Sequence, residues 1–146
     1  MTDTTSTPGG KTTRQMQGVE IYPLKAHREP GGELTALEED CNLGFPLRRV
    51  FYIKADSAEA VRAEHASSAE MVLIALVGAV TVEVDNGSQQ EAFRLEDGSH
   101  ALSIRPGVWV RLREFTVGTL LLVASSRLYA ETRHYNTPQP HLIHGH

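Results

Sequence analysis

The chain has 146 residues, of which 40% are hydrophobic and 22% are charged. These proportions are typical of one globular domain with a single core. The formal net charge is only -4, and the 14 Lys and Arg residues are scattered rather than clustered. The charge pattern therefore excludes the basic patch of a nucleic-acid-binding protein, and nucleic acid is not an expected partner.

The lack of a long apolar run and the single cysteine exclude further classes of protein and of site. The sequence has no run of 18 or more apolar residues, and its first residues lack the apolar region of a secretion signal. We therefore expect a soluble, cytoplasmic protein without a membrane partner. Cys41 is the only cysteine, which excludes an internal disulfide and a metal site built from several thiolates.

Composition divides the chain into three regions. Residues 1–17 are rich in Thr, Ser and Gly and have no apolar face to bury, which predicts a disordered leader. Residues 137–146 contain two prolines and three histidines without apolar periodicity, which predicts a flexible tail. The folded domain is predicted to span residues 18–136.

Short apolar stretches between turn residues predict β structure, and no long segment has apolar residues at helical spacing. The predicted strands are 33–38, 49–53, 71–77, 79–85, 91–95, 101–104, 108–113 and 119–124. The continuously apolar runs 71–77 and 119–124 are expected at the centre of a sheet, covered on both faces. Strands at this spacing predict an all-β sandwich or jelly roll.

The clearest strand signal lies between Ala79 and Asp85. Val80, Val82 and Val84 alternate with polar residues, so these valines are expected to share one buried face. The Asn86-Gly87 pair that follows tolerates positive φ at both central positions of a tight turn. A β-hairpin is therefore predicted, with residues 91–95 as its second strand.

Two segments resemble the sequence motifs of the cupins, which are jelly-roll barrels (double-stranded β-helices). Residues 62–70 followed by Gly78 match the first motif, and residues 98–110 match the second. Ser67 stands where the first motif has its second histidine, and Val110 stands near the place of a third. His65 and Glu70 alone fall short of the three protein ligands usual at a catalytic metal site, so no metal and no other cofactor is expected.

Among cupins, the chain is most similar to the sugar-nucleotide 3,4-ketoisomerases and the related WxcM-like domains. The similarity covers roughly residues 31–135. It is carried by residues 32–34, 36–38, 45–52, 62, 65–66, 70–78, 106, 108–109, 124–129 and 131–132. It implies a metal-independent isomerase that converts TDP-4-keto-6-deoxyglucose to a 3-keto isomer. It also implies a homodimer formed by exchange of N-terminal strands.

The chain departs from that family at the catalytic positions. The family uses a His-x-His pair with neighbouring Arg and Tyr side chains, and here the pair is reduced to His65. A serine hydroxyl at position 67 cannot replace an imidazole in proton transfer near pH 7. Ala63 replaces a glycine, Val110 replaces a histidine, and His134 falls where a tyrosine is usual. Gly31 likewise replaces an arginine.

The candidate catalytic residues are His65, as the acid/base, and Glu70, which would orient it or pair with a nearby arginine. The candidate substrate-binding residues combine arginines suited to phosphate groups with hydroxyl and aromatic side chains. They are Arg62, Arg49, Tyr52, Ser67, Trp109 and Tyr129. Packing in the barrel remains an alternative role for the aromatic residues, and His100 and His134 are weak candidates.

Three functions remain open at this point. The first is isomerisation of a nucleotide-linked keto sugar with His65 as the single acid/base. The second is a metal-free isomerisation or cyclisation of a small hydrophobic intermediate in secondary metabolism, favoured by the apolar replacements Ala63 and Val110. The third is a ligand-binding or assembly module without chemistry. An open cavity with His65 at its wall would favour an enzyme, and a filled barrel would favour the module.

Overall fold

The computed structural model of the protein describes residues 14–144, and these form mostly antiparallel β structure. The strands are β1 (Arg14–Met16), β2 (Val19–Pro23), β3 (His27–Glu29), β4 (Gly32–Leu34), β5 (Arg49–Ala55), β6 (Arg62–Ser67), β7 (Met71–Val77), β8 (Ala79–Asp85), β9 (Gln90–Glu96), β10 (His100–Ile104), β11 (Trp109–Arg113), β12 (Thr119–Ser125) and β13 (His134–Tyr135). The short helices are a π-helical turn at Glu39–Leu43, a 3-10 turn at Tyr129–Glu131 and α1 at Pro140–His144.

Two sheets face each other across the core. The six-stranded sheet has the order β1-β2-β10-β7-β12-β5, and the five-stranded sheet has the order β13-β6-β11-β8-β9. Strands β3 and β4 form a separate hairpin. The predicted all-β jelly roll is thereby confirmed. None of the helices within residues 14–144 has the length and apolar character needed to cross a membrane.

Alternation along the strands fills the space between the sheets. Val80, Val82 and Val84 of β8 are at most 1% exposed, as their spacing predicts. Val110 and Leu112 of β11 point to the same side and are also buried. The other sheet contributes apolar side chains from its central strands, among them Leu73, Leu102, Ile104, Leu121 and Val123.

The predicted β8–β9 hairpin is present, but its turn is longer than a two-residue Asn-Gly turn. Asp85 pairs with Gln90, which leaves a four-residue loop. Positive φ occurs in this loop at Gly87 and not at Asn86. The Asn86 side chain is buried and accepts hydrogen bonds from the backbone N–H groups of Ser88 and Gln89. Asn86 therefore closes the loop with its side chain rather than with its backbone conformation.

The outer face of the six-stranded sheet is covered only in part. Leu43 and Phe45 pack on Val72 and Ile74 of β7, whereas Leu76 and Val77 at the end of that strand remain exposed. The prediction of cover on both faces thus holds for the first part of β7 only, because the covering segment does not reach its end. The predicted strand 33–38 ends at residue 34 because its pairing with β3 ends at the His27–Leu34 pair.

Both ends of the predicted domain extend further than composition indicates. Strand β1 pairs with β2 and lies within the predicted leader, of which residues 1–13 fall outside the described range. Within the predicted tail, α1 seats Ile143 in the core at 4% exposure. A Cβ at Gly107 would lie 2.9 Å from Leu142 and 3.0 Å from Ile143. The missing side chain at Gly107 makes the space for this helix, which periodicity cannot reveal.

Candidate active site

A cavity of about 330 Å³ opens at one end of the barrel, between the two sheets. Strands β5, β6, β7, β11 and β12 form its walls, and the segment after β12 forms its rim. Its lining comprises Arg49, Phe51, Tyr52, Ile53, Arg62, Ala63, His65, Ser67, Ala69, Met71, Leu73, Val110, Leu112, Val123, Ser125, Tyr129, Thr132 and His134. The barrel is therefore open at this end rather than filled by its own side chains.

The lining has an apolar interior and a basic, histidine-bearing mouth. The apolar side chains come from the same alternating positions that form the core. Arg49 and Arg62 supply positive charge, and no carboxylate from residues 14–144 lines the cavity. Such a site favours an anionic ligand, because guanidinium groups bind phosphate and carboxylate through charge-assisted hydrogen bonds.

A strained segment of β6 places His65 at the cavity wall. Ala63 and Glu64 have φ values of 73° and 63°, a region that side-chain-bearing residues rarely adopt. The pairing of β6 with β11 shifts at this point, so that His65 pairs with Val110 and Ala63 pairs with Arg111. The bulge changes the direction of the strand so that the His65 side chain lies at the cavity. Bulges and backbone strain are frequent beside functional sites.

The imidazole of His65 is partly buried and lies against a second imidazole. Its Nδ1 atom is buried without a hydrogen-bond partner among the described residues. The ring of His134 meets it edge to face, with 4.5 Å between the ring centroids. Burial lowers the pKa of His65 below its ordinary value, and the charge of the neighbouring His134 lowers it further. His65 is therefore poised as a neutral base near pH 7.

A line of ring contacts, which we call the mouth cluster, continues from this pair across the cavity entrance. It consists of His65, His134, Tyr129, Arg49 and Phe51. The rings of Tyr129 and His134 lie 5.9 Å apart, and the Arg49 guanidinium lies 5.0 Å from the Tyr129 ring and 4.4 Å from the Phe51 ring. The two aromatic rings hold the arginine by cation–π contacts and so fix a positive charge at the entrance.

Position 67 and His134 are neighbours across the sheet. Strand β13 pairs with β6, and His134 is the direct register partner of Ser67. The Ser67 hydroxyl is buried and accepts a hydrogen bond of 3.0 Å from the backbone N–H of Ala69. Ser67 thus helps to shape the turn after β6, while the side chain opposite it supplies an imidazole to the same region of the cavity.

The structure brings most of the predicted site residues together. His65, Arg49, Arg62, Ser67 and Tyr129 line the cavity. Tyr52 reaches only its rim, because it alternates with the inward-facing Phe51 and Ile53 and is 64% exposed.

Two predicted site residues lie elsewhere. Trp109 is on the outer face of the five-stranded sheet, in a groove beside Glu83 and Arg111, because Val110 takes the inward position. Glu70 lies beyond the turn after β6 and lines a separate outer groove near residues 16–20. Neither side chain shares the cavity with His65, so Glu70 is not placed to orient that imidazole.

His134 is the residue that sequence reasoning undervalued. It was a weak candidate because it stands alone in a turn-rich segment, far from the histidine motif in sequence. One feature of the sequence did point to His134. It falls where the ketoisomerases usually have a tyrosine, and tyrosine side chains take part in the site of that family.

The arrangement can bind an anion and move protons. Two imidazoles, two phenols and two guanidinium groups line the mouth of a cavity with an apolar interior. Within residues 14–144, no group of three or more His, Cys, Asp or Glu side chains is arranged to hold a metal ion.

The fold and the cavity together define the class of protein as a cupin, a jelly-roll barrel with a cavity at one end. A family model described as FdtA, WxcM-like, C-terminal, matches residues 17–143. The chain belongs to this family.

Three similar proteins illustrate the relationship. The TDP-4-oxo-6-deoxy-alpha-D-glucose-3,4-oxoisomerase of Aneurinibacillus thermoaerophilus is 33% identical over 102 residues, which cover 69% of this chain and 73% of that protein. The TDP-quinovose 3,4-ketoisomerase WlaRB of Campylobacter jejuni has a TM-score of 0.79 at 28% identity, with 84% of this chain and 95% of that chain covered. The sugar 3,4-ketoisomerase QdtA of Thermoanaerobacterium thermosaccharolyticum, solved in complex with TDP, has a TM-score of 0.75 at 29% identity, with 82% and 89% covered.

Proposed function

We propose that this protein catalyses the 3,4-keto isomerisation of a TDP-4-keto-6-deoxyhexose without a metal ion. The observation that carries the proposal is the open cavity with His65 on its wall and two arginines at its mouth, in a chain of the ketoisomerase family. The relatives named above are 3,4-ketoisomerases or oxoisomerases of such sugars.

The reaction is a balanced proton relocation. A base removes the proton on C3, the C3–H electron pair forms a C3=C4 double bond, and the C4 oxygen takes up a proton to give an enediol. The C3 hydroxyl then loses its proton, the C3=O bond forms, and C4 receives a proton on carbon. No oxidant, reductant or added atom is needed, and imidazole has a pKa suited to both directions of transfer.

The remaining side chains of the mouth are suited to holding charge. Arg49 is fixed between Phe51 and Tyr129, and Arg62 lies exposed at the edge of the same cavity. Both can engage the diphosphate, and a guanidinium near the enediolate oxygen stabilises the charge that develops there. The apolar interior excludes water from the sugar ring and strengthens these interactions.

Proton NMR of the reaction in D₂O tests the proposal directly. TDP-4-keto-6-deoxyglucose is incubated with the protein, and the C3 and C4 signals are followed against a sample without protein. We expect conversion to a 3-keto sugar with deuterium on C4. Unchanged substrate after prolonged incubation with folded protein would overturn the isomerase function.

The apolar interior favours a second candidate, a metal-free isomerisation or cyclisation of a small hydrophobic compound. Thermal unfolding in the presence of TDP separates the two. A ligand at a hundredfold excess over its Kd stabilises a protein by about 2.7 kcal/mol, so TDP should raise the Tm measurably if the sugar-nucleotide site exists. No shift at millimolar TDP would favour the hydrophobic substrate. The open cavity argues against a purely structural module.

A homodimer and a cytoplasmic location remain part of the proposal. Strand β5 ends its sheet with Val50 and Tyr52 exposed, and the β3–β4 hairpin is fully exposed and carries Leu34 at 61% exposure. An apolar edge strand is usually covered, and a second copy of the chain is the proposed cover. Analytical ultracentrifugation at micromolar concentration should give the dimer mass, and Val50→Glu should weaken the dimer while Val117→Glu in an exposed turn should not.

A further inference from the structure

The cavity contains few groups that can exchange protons near neutral pH. Its ionisable lining consists of two guanidinium groups, two phenols and the imidazoles of His65 and His134. Guanidinium and phenol groups change charge far above pH 7, and no carboxylate from the described range is available. Among these groups, the two imidazoles are the pair with pKa values suited to carbon acid chemistry.

The two imidazoles are also held as a pair. Each belongs to a strand of the same sheet, and β13 aligns His134 opposite Ser67, two residues from His65. The ring centroids are 4.5 Å apart, so one substrate carbon pair can lie within reach of both rings. We propose that His65 and His134 form a cross-strand acid/base pair, in which His134 supplies the second imidazole that position 67 lacks.

The surroundings assign different tasks to the two rings. His65 is partly buried with its Nδ1 sealed from solvent, whereas His134 is exposed. Burial disfavours the charged form of an imidazole, so His65 is suited to act as the neutral base, while the exposed ring of His134 is accessible to solvent. The lowered pKa of His65 agrees with this division. His65 removes the proton from C3, and His134 delivers a solvent-derived proton to C4.

This inference rests on the proposed isomerase function for its reaction, and its first test uses that reaction. His134→Gln removes the acid/base ring, and because the residue is exposed the fold should tolerate the change. General acid–base groups contribute about 10²–10⁴-fold, so we expect kcat to fall at least about a hundredfold while the Kd for TDP changes less than about threefold. His100→Gln, a histidine outside the cavity, is the matched control and should retain wild-type kcat. A kcat loss below about tenfold in His134→Gln would overturn the proposal.

Isotope tracing supplies a readout that a merely structural role would not move. Substrate deuterated at C3 is converted in H₂O, and the product is analysed for deuterium at C4. With two bases, His65 takes the deuterium from C3 and later exchanges it with solvent. His134 delivers a different proton to C4, so the product should carry hydrogen at C4. Transfer of the C3 label to C4 by the wild-type protein would show that a single base carries the proton both ways, and it would overturn the pair.

A substrate-independent measurement separates failure of the pair from failure of the isomerase function. If the wild-type protein does not convert the sugar, the isomerase proposal falls and NMR titration of labelled imidazoles still tests the pair. Arg49, Arg62 and Tyr129 line the same cavity as these rings and are unchanged in His134→Gln. Removing the neighbouring charge should raise the titration midpoint of His65. An unchanged midpoint would mean that the rings do not act on each other, and it would overturn the pair.

Discussion

The cavity mouth and the outer face of the five-stranded sheet place arginine in opposite environments. On the outer face, Glu83 accepts hydrogen bonds from Arg111 Nε at 2.6 Å and from Arg113 Nε at 2.5 Å. Burial alone would raise the pKa of Glu83, but these hydrogen bonds outweigh it and hold that pKa below its usual range. At the cavity mouth, Arg49 and Arg62 form no ion pair with a carboxylate of the described residues.

This difference separates charge that serves the fold from charge that is available to a ligand. Paired surface charges contribute little to stability and are already satisfied. Arg49 at the mouth is held by aromatic rings instead, beside a strained strand and an imidazole with a buried nitrogen that has no hydrogen-bond partner among the described residues. Strain and unsatisfied polar groups concentrate at functional sites, so substitutions at the mouth should affect function more than those outside.

The largest expected effect is the loss of activity in His65→Asn. Asparagine is close in size to histidine but cannot exchange a proton near pH 7, so we expect kcat for TDP-4-keto-6-deoxyglucose to fall by about 10²–10⁴-fold. Steady-state kinetics checks this, with circular dichroism to confirm the fold. Full activity in His65→Asn would remove His65 from the mechanism and contradict the contrast between the cavity mouth and the outer face.

The next effect compares one arginine from the cavity mouth with one from the outer face of the five-stranded sheet. Arg49→Ala removes a charged hydrogen-bond donor from the mouth, and such bonds are worth about 1.5–3 kcal/mol, so the Kd for TDP should rise roughly tenfold or more. Arg113→Ala removes an arginine already paired with Glu83 and Glu114, and it should leave the Kd unchanged. Isothermal titration calorimetry measures both. Equal weakening in the two variants would show that general charge rather than the mouth attracts the nucleotide.

Much of the fold could be predicted from local patterns in the sequence. The valine alternation of β8 predicted its buried face, and the motif around His65 placed that residue at the barrel wall. Strand alternation places Trp109 on the same face as Arg111, and that is the outer face on which the structure has it. The motif resemblance instead made Trp109 a candidate substrate-binding residue of the cavity. For Glu70, the motif resemblance linked it to His65, but the chain turns after Ser67 and Glu70 lies outside the cavity.

The rest depends on contacts between distant parts of the chain. β13 is two residues long, and nothing local indicates that it pairs with β6 and carries His134 into the site. Ile143 packs in a space that exists because Gly18 and Gly107 have no side chains. Apolar periodicity in the sequence does not indicate such a space. The resemblance to the ketoisomerases indicated that Ala63 replaces a glycine, and the structure gives that difference an energetic meaning because φ at Ala63 is 73°.

A stabilising effect is therefore expected for Ala63→Gly. The left-handed conformation costs a non-glycine residue about 1–2 kcal/mol, and the greater freedom of glycine in the unfolded chain offsets about 0.4–1 kcal/mol of this. The free energy of unfolding should rise by roughly 0.5–1 kcal/mol in urea denaturation. Ala92→Gly in the exposed part of β9 is the matched control and should lower it. Destabilisation of Ala63→Gly to the extent of Ala92→Gly would mean that the bulge is not strained.

The smallest effect is a difference in the pH dependence of stability. The pKa of His65 is lowered in the folded protein by burial and by His134, so below about pH 6.5 the unfolded chain binds a proton that folded His65 does not. The wild-type protein should lose stability as pH falls through this range, and His65→Asn should lose less. Urea unfolding at pH 7.5 and 5.5 measures both slopes, with His100→Gln as the control outside the cavity. Identical slopes in wild type and His65→Asn would place His65 in a solvated environment and remove the basis for its role as a neutral base.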